Sequence, residues 1–209
     1  MEHLPILFFA TLLAAIVASA PPGLLNVNAA KISVEKGKKS GIVFSLGIAV
    51  MVLIQAYISV RIAKFLIRNP HVVGWLMKAA VVVFAVLAVF FFIKATRKQI
   101  QHSAEIKQGK TLGDFGKGLF LASLNFLQIP FYSGLNTFFG ANGIMTYEII
   151  DEVFFIAGAG IGTFLVMYLY VFYFNKLDAN SSKFSKNSYY ILGVLMVILL
   201  IITLIRINY

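Results

Sequence analysis

The 209-residue chain contains no cysteine. That absence excludes a disulfide framework, a thiol nucleophile, an iron–sulfur site and a thiol redox relay. Charge is the second scarcity. Only 12% of the residues are Asp, Glu, Lys or Arg, where about a quarter is usual in a soluble domain. The charges gather in short stretches between long apolar runs, as expected when lipid replaces water around the middle of each helix. No Asp or Glu falls in the middle of those runs, and His3, His71 and His102 lie in loops or near ends. A buried metal cluster, an intramembrane catalytic dyad and a carboxylate proton relay are therefore not expected. No Walker-type phosphate loop occurs, which argues against direct use of ATP. The expectation is a protein with no catalytic set, no metal ligands and no cofactor.

What the chain has in abundance is apolar length, with 60% hydrophobic residues. A span needs roughly 20 mostly apolar residues. Six segments meet or approach that length: 4–30, 41–60, 72–93, 118–139, 153–174 and 189–205. Ala18-Ser19-Ala20 looks like a small-residue cleavage site. The first residues carry Glu2 and no Lys or Arg, so the positive region of a signal peptide is missing, and 4–30 is read as a retained span.

The net charge of +10 would suggest nucleic acid in a soluble protein. Here it reads as cytoplasmic loop charge that sets orientation and meets anionic lipid. The first loop holds Lys31, Lys36, Lys38 and Lys39. The third holds Lys94, Arg97, Lys98, Lys107, Lys110 and Lys117, and the fifth holds Lys176, Lys183 and Lys186. Arg61, Lys64, Arg68 and Arg206 fall on the other side, where the fourth loop carries only the acids Glu148, Asp151 and Glu152. Thirteen cations against four place both termini outside a cytoplasmic (inner) membrane crossed several times.

The expected fold is an all-α integral membrane protein of about six transmembrane helices. Residues 1–95 form a first three-helix repeat, 96–117 a basic cytoplasmic loop, and 118–209 a second repeat. An odd number of spans per half inverts the second half, an arrangement that recurs in secondary transporters. Helices 1 and 4 are expected to break at proline. Pro21-Pro22-Gly23 interrupts the first span and Pro130 the fourth, because proline removes a donor and clashes with the preceding turn. Pro22 and Pro130 share one register between the halves, and Asn28 and Asn136 match under the same shift. Asn26, Asn125 and Gln128 add amides nearby. Interrupted spans at corresponding positions point to a binding site near the bilayer midplane, and half-helix N-termini suit a carboxylate. The candidate substrate-binding residues are Pro22, Gly23, Asn26, Asn28, Asn125, Gln128, Pro130, Asn136 and Lys78. The plain alternatives are kinked spans with satisfied amides and a Lys78 that snorkels to the interface. Gln55 and Tyr57 read as packed polar handles. Gly158, Gly160 and Gly162, like Gly37 and Gly41, read as sites of close helix contact.

Pro21-Pro22-Gly23-Leu24-Leu25-Asn26, Gly37, Gly41 and Gly47, Lys78, Phe115, Gly118 and Asn125, and Phe138-Phe139 together give the chain a layout that resembles the LysE-type translocators, a family of amino-acid exporters. The family usually has Pro-Gly-Pro in the first span and Asn-Pro-Lys in the fourth. Here Pro-Pro-Gly and Asn125-Phe126-Leu127-Gln128-Ile129-Pro130 stand in those places. The resemblance implies export of a small solute driven by an ion gradient. Without a buried acid to pair a cationic side chain, a neutral or zwitterionic solute such as an amino acid fits. Alternating access around a midplane cavity is the expected mechanism. Membrane lipid and a small-molecule solute are the expected partners, nucleic acid is not, and a homo-oligomer is left open. The alternatives are a non-transporting membrane scaffold or assembly partner, whose breaks are packed shut and dry, and, ranked last, a membrane-embedded lipid enzyme.

Overall fold

In the computed structural model the described residues are 3–21, 23–96, 113–173, 193–194, 196–198 and 200–205. Among them every regular element is helical: α1 (His3–Ser19), α2 (Leu24–Lys36), α3 (Lys38–Arg68), α4 (Pro70–Thr96), α5 (Asp114–Ser123), α6 (Gln128–Ala141) and α7 (Ile149–Tyr173). A short apolar helix, Met196–Ile205, follows.

Three helices have the length and composition to cross a bilayer: Lys38–Arg68, His71–Ile93 and Ile149–Tyr173. At 1.5 Å per residue α3 spans about 46 Å, well beyond the ~30 Å hydrocarbon core. Its end therefore projects Arg61, Lys64 and Arg68 past the apolar run. α1 and α2 form a bent pair at 78° and together would make a fourth span. The sixth expected span, 189–205, lies partly outside the described residues, as does the expected basic loop 96–117, whose last four residues, 114–117, open α5.

The chain divides into two compact units. One comprises Met1–Ile67 with Lys110–Asn175, and the other Arg68–Gly109 with Lys176–Tyr209. The first unit holds α1, α2, nearly all of α3, and α5 to α7, so helices from both halves of the sequence share one core. Phe44, Ile48 and Val52 of α3, Tyr132 of α6, and Phe155 and Met167 of α7 are fully or almost fully buried there. In the second unit α4 turns Trp75, Val82, Val86 and Val89 outward, each more than half exposed. Such a run of exposed apolar side chains is a surface for lipid rather than water.

Small residues set the spacing of the first unit. A Cβ on Gly158 would lie 2.8 Å from the carbonyl oxygen of Phe8, and one on Gly162 would lie 2.6 Å from that of Leu12, so α7 touches the backbone of α1. Gly47 of α3 and Gly118 of α5 face each other's backbone in the same way. Gly160 meets Leu53 of α3, and Gly41 meets Ser33 and Val171. The close helix contact expected of the fifth-span glycines and of Gly41 is thus present. Gly37 serves another purpose. It ends α2 at φ 92°, a left-handed backbone that only glycine adopts without strain, and so turns the chain directly into α3.

Candidate functional site

Both expected interruptions exist, and each leaves backbone carbonyls that need donors. The first lies between Ser19 and Leu24. The Asn26 side-chain amide donates to the Ser19 carbonyl at 2.8 Å, and the Tyr170 hydroxyl of α7 donates to that of Ala20 at 2.8 Å. Pro21 and Gly23 are exposed, while Pro22 lies outside the described residues. Gly23 starts α2 and brings no side chain to cap its first turn.

The second interruption lies at residues 124–127, between α5 and α6. Pro130 is not the break itself. It sits in the first turn of α6, where its missing N–H would have had no helical partner in any case. Tight turns close the gap: Asn125 N–H to the Ala122 carbonyl, Gln128 N–H to that of Asn125, and Ile129 N–H to that of Phe126. The donors that secure this interruption come from α3. Gln55 Nε2 donates to the Ala122 and Asn125 carbonyls at 3.1 and 3.3 Å, and Ser59 Oγ donates to the Ile129 carbonyl at 2.9 Å.

The two clasps are crossed. The interruption in the first half of the sequence is held by a tyrosine from α7, and the one in the second half by a glutamine and a serine from α3. The glycine contacts follow the same rule, with α1 against α7 and α5 against α3. A hydroxyl contact adds a further link: Ser19 Oγ lies 3.4 Å from Thr163 Oγ1 in α7. Thr163 is buried.

The candidate amides divide by environment. Asn26 is buried and tied to the first interruption. Asn28 is half-buried and donates to the Leu24 carbonyl of its own turn at 2.7 Å. Asn136, its partner under the register shift, is wholly buried, donates to the Tyr132 carbonyl at 3.2 Å, and has its own carbonyl capped by the Tyr147 hydroxyl. The shared register therefore does not give a shared environment, because α2 begins after its prolines and α6 before Pro130. Asn125 contributes its backbone carbonyl rather than a side-chain contact. Among the described residues, three buried side-chain oxygens have no hydrogen-bond donor: Gln55 Oε1, Gln128 Oε1 and Asn136 Oδ1. Lys78 belongs to the second unit. It is exposed on α4, with its ammonium 5.4 Å from the centre of the Trp75 ring.

Ion pairs mark the two ends of the first unit. At one end Glu152 takes both Arg61 and Lys64, and Asp151 accepts from His3 at 2.9 Å and from Thr146 N–H and Oγ1 at 2.6 and 2.8 Å. Both acids stand in the first turn of α7, where the helix dipole favours negative charge. At the other end Lys36 meets Asp114 at 2.9 Å, and Lys38 lies 4.6 Å from the centre of the Phe172 ring. The Lys36 hydrogen bond holds the Asp114 carboxyl below the usual carboxylate range, against the opposing effect of partial burial. These pairs join the second to the fourth loop and the first to the third, segments that the cation count assigns to common sides of the membrane.

Ser59, Thr163 and Tyr170 were not among the expected site residues. Their signal is a hydroxyl inside an apolar run, which has to find a partner in lipid. That cue recurs throughout membrane helices and does not single out these three. Gln55, expected to be packed and satisfied, is satisfied on its nitrogen only.

A family model described as LysE type translocator matches residues 16–205 of the chain. No curated protein and no solved structure matches it.

Proposed function

Since the chain belongs to the LysE type translocator family, and so is a multi-pass membrane transporter, we propose that it exports an amino acid or a related zwitterionic metabolite by alternating access. The observation that supports this best is the pair of crossed clasps. Interrupted backbone at membrane depth is tolerated only where it is buried in protein or lines a wet cavity. Here both interruptions are secured by side-chain hydrogen bonds, which can exchange for bonds to a solute at little net cost.

The two interruptions suit opposite ends of a zwitterion. α2 begins on an uncapped glycine, so its first-turn N–H groups and positive dipole end are the better seat for a carboxylate. The first turn of α6 is already closed by tight turns, and the side-chain oxygens beside it are acceptors. Access would alternate by parting one terminal ion-pair set while the other holds. Glu152 with Arg61 and Lys64, and Asp151 with His3, close one end, and Lys36 with Asp114 closes the other. The cation count assigns the latter to the cytoplasmic face of the inner membrane.

The test is efflux from proteoliposomes loaded with labelled amino acids. Export of zwitterionic amino acids above the protein-free rate is expected. Asn26→Leu and Gln128→Leu should each lower it about tenfold, the equivalent of one lost hydrogen bond of ~1.4 kcal/mol. Folded protein that moves none of these solutes would refute the export reading, and unchanged efflux in both variants would refute the site.

A further inference from the structure

Gln55 Nε2 lies within 3.3 Å of two carbonyl oxygens, those of Ala122 and Asn125. An amide oxygen placed there would face both acceptors, so the orientation of the Gln55 amide is fixed by its partners. Its Oε1 must then point to the opposite side, where no donor among the described residues meets it, although the residue is only 3% exposed. Gln128 presents a second buried oxygen without a donor. The two glutamines are neighbours, since Gln128 N–H donates at 3.3 Å to the same Asn125 carbonyl that accepts from Gln55.

The interruption joins the C-terminal, negative end of the α5 dipole to the N-terminal, positive end of the α6 dipole, whose first-turn N–H groups are already taken up by the Asn125, Phe126 and Leu127 carbonyls. Pro130 brings no N–H to the first turn of α6. No Lys, Arg or His occurs from Gly118 to Ala141. No carboxylate occurs there either, so the oxygens are all neutral. Neutral oxygen ligands cannot balance a divalent ion, which prefers carboxylates, and without nitrogen or sulfur they do not suit a transition metal. Uncharged amide and carbonyl oxygens at a half-helix end suit a compact monovalent cation. Asn136 lies eight residues beyond Gln128 along α6, about 12 Å away, too far to share one coordination shell.

We propose that Gln55 and Gln128, on α3 and at the start of α6, form a seat for a compact monovalent cation at the interruption between α5 and α6. Two sources share that chemistry: a free alkali cation, and the ammonium of a zwitterionic solute. The second source rests on the export reading above, and the first does not.

The test measures the thermal midpoint of the purified full chain in detergent at constant ionic strength. Choline chloride is replaced stepwise by lithium, sodium or potassium chloride. In a second arm alanine or propionate, which differ in the ammonium group, is added in choline buffer. A hundredfold excess of cation over its dissociation constant should raise the midpoint by about 5 °C or more. Gln128→Leu removes an oxygen that has no donor and leaves the Gln55 clasp in place. That variant should fold and lose the response, and Gln55→Leu should lose it as well. A response to an alkali chloride alone identifies an ion site, and a response to alanine but not propionate identifies the solute's ammonium. Either supports the seat. Equal midpoints in every salt and with both solutes, or a Gln128→Leu variant that responds like the original, would overturn it. Efflux without a cation response would refute the seat and leave the export reading standing, and the converse result would do the reverse.

Discussion

Replacing Gly162 by alanine tests the α1–α7 interface directly. The added Cβ would lie 2.6 Å from the Leu12 carbonyl oxygen and 2.8 Å from Ala15 Cβ, where ordinary contact begins near 3.4 Å. Backbone cannot swing aside as a side-chain tip can, so α1 has to retreat by about 0.8 Å. A radial gap of about 0.5–1 Å forfeits a quarter to a half of each dispersion contact across the interface. Overpacking of this kind costs about 1–3 kcal/mol, which lowers a thermal midpoint by about 2–10 °C for a chain of this size. The same retreat stretches the Ser19–Thr163 contact, already 3.4 Å long, beyond hydrogen-bonding range. Gly158→Ala should behave alike but more mildly, with 2.8 Å to the Phe8 carbonyl oxygen. Gly134→Ala is the control, since nothing lies within 4 Å of its added Cβ. Thermal midpoints in detergent and efflux rates measure both consequences. A Gly162→Ala variant as stable and as active as Gly134→Ala would refute the reasoning.

Gln55→Leu leaves the Ala122 and Asn125 carbonyls without their donor and should cost about 1–3 kcal/mol, read as a lower midpoint. A midpoint equal to the original would show that those carbonyls need no clasp. Glu152→Gln discharges a carboxylate shared by Arg61 and Lys64. Both cations are partly exposed and can rehydrate, so the loss should be about 1–2 kcal/mol and should shrink in 1 M salt. A loss that salt does not alter would count against an ion-pair origin. Asp114, whose folded value is depressed by Lys36, stabilises the protein above its unfolded value of about 3.9 and loses that contribution as pH falls through the folded value. The midpoint gap between the original and Asp114→Asn should be constant from about pH 6 to 7 and shrink as pH falls below about 4. A gap that does not shrink on acidification would refute the assignment.

The apolar runs were legible in the sequence because lipid allows few ways of satisfying a backbone. Helix ends were less so. The second apolar run, 41–60, belongs to a helix from Lys38 to Arg68, since Arg61 and Lys64 extend it toward Glu152. α7 likewise begins at Ile149 and takes in Asp151 and Glu152, which the apolar pattern alone places in the fourth loop. Pro130 flagged the second interruption but not its place. Leu124-Asn125-Phe126-Leu127 contains neither Pro nor Gly. The helix stops there where Gln55, about seventy residues earlier, takes up the Ala122 and Asn125 carbonyls. A contact at that separation leaves no local pattern. The glycines of α7 were legible because a repeated absence of side chains has little other use in a helix.

The crossed clasp also bears on how the chain is made. Ala20 leaves the ribosome 150 residues ahead of Tyr170, whose hydroxyl its carbonyl requires. At about 5–20 residues per second the wait lasts roughly 8–30 s. For that interval the carbonyl is without the donor it has in the folded chain. Biogenesis of the α1–α2 pair is therefore completed only when nearly the last of the membrane helices arrives.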